Sequence, residues 1–537
     1  MSPHFHTSFI LFLSSFIFAS LGSVLGPERS KLIGTRVTLD YGIFNGFTNA
    51  LTDITYFRGV RYADAPIGNL RWRAPVSPPT KHLGEVNATQ FGDTCIETTQ
   101  ATVTEGTSED CLFGNVYIPM NTRVGDDLPV MVWFHGGGFE AGNTHTAPPE
   151  LIMQSSSKPL IFVSFEYRLG QFGFLGGTEI SEDGVLNAGL LDQRTALKWV
   201  QNYIHLFGGD KSQVTIWGES AGAGSTMFHL MANGGDNQGL FRAAMGDSPS
   251  LSFMPLFNQS YDQDIFDQFG TFAGCGNDTN ALSCLRSASS ETLTRAGSQL
   301  ILSRPATLYM FAPILDGTLM QQRPVEAFNS GKFAQVPVLF GSNTNEGAIW
   351  SSSIADPNAN TSMPNATEAT VFNFLHGQYA SFTQDSYQRA LEAYPLADYE
   401  NSFSLQGQQM YGEARYICTS GLVSGSASKF QKAYRFHYNN PHLGANHGAE
   451  LDAFFSPPTD SNAEDLSLFE TMREFWTSFV TTGVPTAKKS VTWKPVTDNS
   501  GSPRMLLQPG NVGMEPFDDN LAARCSLWRD LSVEMQT

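Results

Sequence analysis

The stretch Gly218-Glu219-Ser220-Ala221-Gly222 sits directly after the apolar run Val214–Trp217. A serine hydroxyl is a weak nucleophile unless a base reaches it, and a sharp strand-to-helix turn between glycines presents a serine in that way. A Cβ at either flanking glycine would clash in so tight a turn. Ser220 is therefore the candidate nucleophile. A second glycine-rich stretch, FHGGGFEAGN from Phe134 to Asn143, also follows an apolar run. Its consecutive glycines let amide N–H groups face a cavity with no side chain in the way, as a developing oxyanion requires. The candidate donors are the amides of Gly137, Gly138 and Ala221. A phosphate loop is the rival for such a stretch, but the Lys-Ser/Thr ending of that motif is missing.

Both stretches need strands behind them. The runs Val130–Phe134, Leu160–Phe165, Val214–Trp217, Val336–Phe340 and Tyr434–Tyr438 are dense in Val, Ile, Phe and Leu with little alternation. That composition predicts strands covered on both faces. Leu190–Phe207 repeats its apolar residues at helical spacing, and strands alternating with helices imply an α/β architecture. Ser351–Thr367 and Ser456–Asp465 read as surface loops from their Ser, Asn and Pro content. No repeat and no linker composition divides the chain.

With these blocks in view, the chain resembles the type-B carboxylesterase/lipase family, which includes carboxylesterases, cholinesterases and fungal lipases. The resemblance runs from about Phe57 to Trp528. It rests on FRGVRYADAPIGNLRWRAP (Phe57–Pro75), SEDCL (Ser108–Leu112), EYRLGQFGFL (Glu166–Leu175), NAGLLDQRTALKWVQNYIHLFGGD (Asn187–Asp210) and WGESAGAGS (Trp217–Ser225). It implies an α/β-hydrolase fold: a large, mostly parallel central sheet with helices on both faces and loops that form an active-site gorge. It also implies a triad in the order Ser, acid, His. The family's acid stands in a pattern like G-x-N-x-x-E-G, here GSNTNEG and Glu346, and its His in H-G-x-E, here HGAE and His447. Asp316 and Asp452 lack the acid's setting after a strand. His376 lies in an apolar helix-like run, His437 inside a strand, and His442 lacks the motif. Glu219 and Ser248 are expected behind the triad, with Ser248 near the histidine, although Pro249 stands where the family usually has glycine. Arg71 and Glu109 match a structural ion pair. The resemblance further implies the disulfides Cys95–Cys111, Cys275–Cys284 and Cys418–Cys525.

The expected chemistry is ester hydrolysis through an acyl-enzyme, with no metal and no organic cofactor. The fifteen residues between Cys95 and Cys111 contain no aromatic side chain and little apolar surface. Neither a cation–π site for choline nor a large apolar lid is expected from them, which favours soluble or moderately bulky esters. A lipase or sterol esterase is the alternative within the fold, and a non-catalytic binding homologue the alternative outside it.

The remaining features concern location. An apolar run over residues 9–19 followed by small residues reads as a signal peptide cleaved near Gly22, leaving 23–537 as a single catalytic domain. That run is too short for a membrane anchor. Sequons at Asn87, Asn258, Asn277, Asn360 and Asn365, with an even count of six cysteines, fit a secreted, extracellular glycoprotein. A net charge of −19 excludes nucleic acid as a natural partner. The expected partner is a small-molecule ester.

Overall fold

Eleven strands share one sheet: β1 (Phe47–Asn49), β2 (Ile54–Arg61), β3 (Phe113–Pro119), β4 (Leu128–Phe134), β5 (Ile161–Phe165), β6 (Gly209–Gly218), β7 (Ala243–Asp247), β8 (Val338–Asn343), β9 (Ala433–Tyr438), β10 (Arg504–Leu507) and β11 (Gly513–Glu515). Their order is β11-β10-β9-β8-β7-β6-β4-β5-β3-β2-β1. The centre, from β5 to β10, is parallel, and antiparallel pairs close both edges. The structure is a computed structural model that describes residues 1, 31–488, 490–497 and 503–537. The expected leader and its cleavage point lie outside the described residues.

Period-two alternation divides the core. Val130, Val132, Ile161, Val163, Val214 and Ile216 point to one face, packing with the helices Ala188–Tyr203 and Ala221–Met231. Met131, Trp133, Phe162 and Trp217 point to the other, against the helix Ala463–Thr482. Both faces are dry, so the strands carry the near-continuous apolar runs seen in the sequence. All five anticipated strands are present. The anticipated helix ends at Tyr203 and tightens into a 3₁₀ turn over Ile204–Phe207.

Two loop expectations are corrected. The 351–367 segment is not uniformly exposed: Ser351, Ala359, Asn360 and Thr361 are buried, and Asn360 is only 8% exposed. Its side-chain amide donates to the Ile354 carbonyl (3.0 Å), so this sequon is spent inside the fold. Asn87, Asn258, Asn277 and Asn365 are exposed. The second loop stops at Asn462, whose side chain caps the helix from Ala463 by accepting the amides of Glu464 and Asp465. Cys95–Cys111, Cys275–Cys284 and Cys418–Cys525 are bonded. Arg71 and Glu109 form a buried two-pronged pair.

Candidate active site

β6 ends at Gly218 and a helix starts at Ala221, leaving two residues to reverse the chain. Ser220 takes φ 56°, ψ −121°, a conformation that costs a non-glycine residue about 1–3 kcal/mol. Its amide is anchored on the Asp247 carbonyl (2.9 Å). The neighbouring glycines are sterically required: a Cβ on Gly218 would stand 2.4 Å from the Gly222 carbonyl carbon, and one on Gly222 would stand 2.0 Å from the Phe134 oxygen. Ser220 is thus held at the head of the helix, beside amides that lack intrahelical partners.

Glu346 follows β8 and His447 follows β9, so adjacent parallel strands deliver both to the same end of the sheet. Nδ1 of His447 lies 2.6 Å from Oε2 of Glu346. The other carboxylate oxygen accepts the Asn343 amide (2.6 Å) and the Ser248 hydroxyl (2.5 Å). Ser248 therefore reaches the imidazole through the acid, and it does so from a positive φ of 55°. Neither Ser220 Oγ nor His447 Nε2 has a hydrogen-bond partner among the described residues. Oε1 of Glu219 stands 3.2 Å from Nε2.

The site is unusually acidic for its depth. Burial, then the charges of Glu346 and Asp247, pushes the Glu219 carboxyl well above its ordinary value. Burial likewise lifts Glu450, with Glu219, Asp247 and Glu346 adding to it. Asp247 is raised by burial too, against the pull of the Trp217 indole N–H. Carboxyls this close and this dry cannot all ionise, and burial favours the protonated form of Glu219 beside His447.

The rival residues are engaged elsewhere. His376 bonds the Phe382 carbonyl, His437 contacts Thr344 and Glu515, and His442 contacts Asp465. Asp316 organises a turn through Thr318 and Met320. Asp452 is half-buried, and burial raises its carboxyl.

Across from Ser220, Gly137 and Gly138 have φ of 105° and 66°, and their amides donate to no acceptor among the described residues. Glu140, two residues on, accepts the amides of Met310 and Phe311 (2.7 and 2.8 Å) and is pushed up to about 8 by burial. The Cys95–Cys111 loop grips this turn at two points. Oε1 of Glu97 accepts the Gly142 amide (3.0 Å), and the Thr98 amide donates to the Glu140 carbonyl (2.9 Å).

Several neighbours were missed in the sequence. Trp350 and Tyr416 flank His447, with ring centroids 5.1 and 4.2 Å from the imidazole, and Trp350 Nε1 donates to the Glu346 carbonyl (2.8 Å). The ring of Tyr309 lies on Gly138, 2.1 Å from where a Cβ would be. So the Cys95–Cys111 loop supplies no aromatic face, but other segments do. Trp350 lies four residues past Glu346 and was within reach of a helical-turn argument. Tyr309 and Tyr416 come from distant segments with no motif to mark them.

Comparison with known proteins gives the family and the fold. The carboxylesterase family matches residues 34–522. This chain belongs to that family. Within it, the chain is 31% identical over 500 residues to "Secreted lipase 1" of Botryotinia fuckeliana, covering 85% of this chain and 86% of that one. It is 36% identical over 371 residues to "Lipase 4" of Diutina rugosa, covering 63% of this chain and 66% of the relative. The match thus spans slightly less than two thirds of that lipase. The crystal structure of Aspergillus niger EstA superposes with a TM-score of 0.84 at 29% identity, covering 94% of this chain and 99% of that one. The fold is that of the α/β hydrolases.

Proposed function

We propose that this family member is a secreted carboxylic-ester hydrolase working through Ser220, His447 and Glu346. The reading is carried by the 2.6 Å contact between His447 Nδ1 and Glu346 Oε2 beside a serine held in the elbow. Glu346 holds the proton on Nδ1, leaving Nε2 as the base for the Ser220 hydroxyl. Ser220 Oγ attacks the ester carbonyl, and its proton passes to Nε2. The amides of Gly137, Gly138 and Ala221 receive the oxyanion. Collapse releases the alcohol, which takes the proton from His447. Water, deprotonated by the same nitrogen, then cleaves the acyl-enzyme.

The substrates in this reading are soluble or moderately bulky esters. The hold of Glu97 and Thr98 on the oxyanion turn supports it, because the loop cannot swing away as a lid without disturbing the turn. The lipases among the relatives favour the alternative of a lipid ester. Export is supported by the three disulfides and the four exposed sequons. A short-chain ester assayed below and above its solubility limit decides the substrate class. Smooth saturation supports an esterase, and a jump in rate at the limit supports a lipase. Absence of labelling by a serine-reactive phosphonate would overturn the hydrolase reading itself.

A further inference from the structure

Arg415 lies in a single π-helical turn, Glu413–Ile417, a geometry that proteins keep mostly at functional sites. The turn is pinned from outside by Glu413, which takes a two-pronged bond from Arg524 (2.7 and 2.8 Å) and one from the Tyr394 hydroxyl (2.6 Å). Its inward side is different. Arg415 is 3% exposed, and its guanidinium carbon lies 5.7, 5.8 and 5.8 Å from the ring centres of Tyr309, Tyr411 and Tyr416.

These rings tie Arg415 to the reacting centre. Tyr309 lies on Gly138 of the oxyanion turn, and Tyr416 packs on His447. The Leu251 amide donates to the Arg415 carbonyl (2.8 Å), and Ser250, next to Leu251, donates its amide to the Ser220 carbonyl (3.3 Å).

A buried guanidinium normally faces a carboxylate, because an unpaired charge in so dry a place is strongly disfavoured. Among the described residues no carboxylate lies within 4.0 Å of this one. Its Nη2 makes a long bond to Ser252 Oγ (3.5 Å), and it faces the Tyr379 hydroxyl. Nε is buried without a partner, and the Tyr411 hydroxyl makes no hydrogen bond of good geometry. Glu140 is near enough for the cation to pull its carboxyl down, yet burial still leaves it at about 8 and so mostly neutral at neutral pH. Arg415 is thus a fixed cation with unsatisfied donors beside it and no ionised acceptor in contact.

We propose that Arg415 binds a free carboxylate carried on the acyl group of the substrate, so that the site selects monoesters of dicarboxylic acids. The inference rests on the hydrolase reading. With the ester carbonyl at Gly137 and Gly138, the acyl chain runs past Tyr309, whose ring is shared by the oxyanion turn and Arg415. The Tyr411 hydroxyl supplies a further donor to the carboxylate.

The test uses the intact protein and two ester series followed in a pH-stat. One series is the monoethyl esters of straight-chain dicarboxylic acids from succinate to suberate. The other is the ethyl esters of monocarboxylic acids of matched length. At the length that reaches Arg415, kcat/KM for the anionic ester should exceed that for its neutral match by about tenfold or more, as expected for a charge-assisted bond. Arg415→Gln should collapse that ratio, chiefly through KM, and Tyr411→Phe should reduce it by about threefold. Preference for the neutral ester at every length would overturn the proposal, as would an unchanged ratio in Arg415→Gln. The wild-type ratio decides the matter even if that variant fails to fold. Rapid neutral-ester hydrolysis with no anionic preference removes this inference alone, whereas hydrolysis of neither series removes the hydrolase reading with it.

Discussion

Nε2 of His447 lies 3.2 Å from Oε1 of Glu219, the residue that immediately precedes Ser220. The two carboxyls around His447 are differently placed. Glu346 is fixed by Asn343 and Ser248, whereas Glu219 is pushed up by burial and by its acidic neighbours. Glu219→Gln should therefore change kcat by less than about fivefold, since burial already disfavours a charge on that carboxyl. Glu346→Gln should lower kcat by about 10²–10⁴-fold, because it disturbs the tautomer that leaves Nε2 basic. Steady-state rates on one ester compare them, and equal losses would refute the distinction.

Ser220 separates strain from chemistry. Ser220→Ala should lower kcat by about 10⁴-fold or more. Ser220→Gly should be equally inactive but more stable by about 1 kcal/mol, because glycine adopts a positive φ freely. Denaturant unfolding of the two variants measures the difference, and equal stability would show that the elbow stores no strain.

The oxyanion turn offers a second kinetic test. Glu97 reaches it as a hydrogen-bond acceptor for the Gly142 amide. Glu97→Ala should lower kcat by about tenfold with little change in KM, because a displaced amide weakens the transition state more than the ground state. Glu97→Gln, which keeps an acceptor, should restore most of it. A loss in KM alone would show that the loop contacts substrate instead.

Stability should fall as pH rises through neutrality. Burial pushes Glu140 and Asp262 up to about 8 and Glu166 up to about 7. Each holds a proton in the folded state that the unfolded chain has lost above its ordinary carboxyl value. Each therefore subtracts about 1.4 kcal/mol per pH unit until its folded value is passed. His135, pushed down to about 4 by burial, acts in the opposite sense between that value and its ordinary 6.5. Above pH 6.5 the acids act without that offset. Urea unfolding at pH 6.5, 7 and 8 should show the decline, and Asp262→Asn should flatten it. A stability that rises over this range would contradict the assignment.

Much of this was legible in the chain because it is written locally. After a strand, the elbow needs a glycine on each side of its serine and the oxyanion turn a run of them, and those requirements mark the sequence. The acid and the histidine were reached through the family resemblance, and adjacent strands bring them together. What escaped is what assembles from distant segments. Tyr309 meets the adjacent pair Arg415 and Tyr416 across about a hundred residues of chain, and nothing in their local sequence distinguishes them from core residues. Asn360 shows the converse: its sequon is perfect, but only tertiary packing reveals that the side chain faces inward.

The bond between Cys418 and Cys525 joins positions 107 residues apart, and it belongs to the timing of synthesis as much as to the finished molecule. The π-helical turn that carries Arg415 and Tyr416 is fastened to the helix Asp519–Asp530 by this bond and by Arg524 on Glu413. Ser220, Glu346 and His447 have all been translated well before that helix appears. A ribosome stalled between residues 447 and 519 therefore holds every catalytic side chain but lacks the brace behind the imidazole's aromatic wall. On the mechanism proposed above, competence to react waits for the closing stretch of translation and for the bond between Cys418 and Cys525 to close.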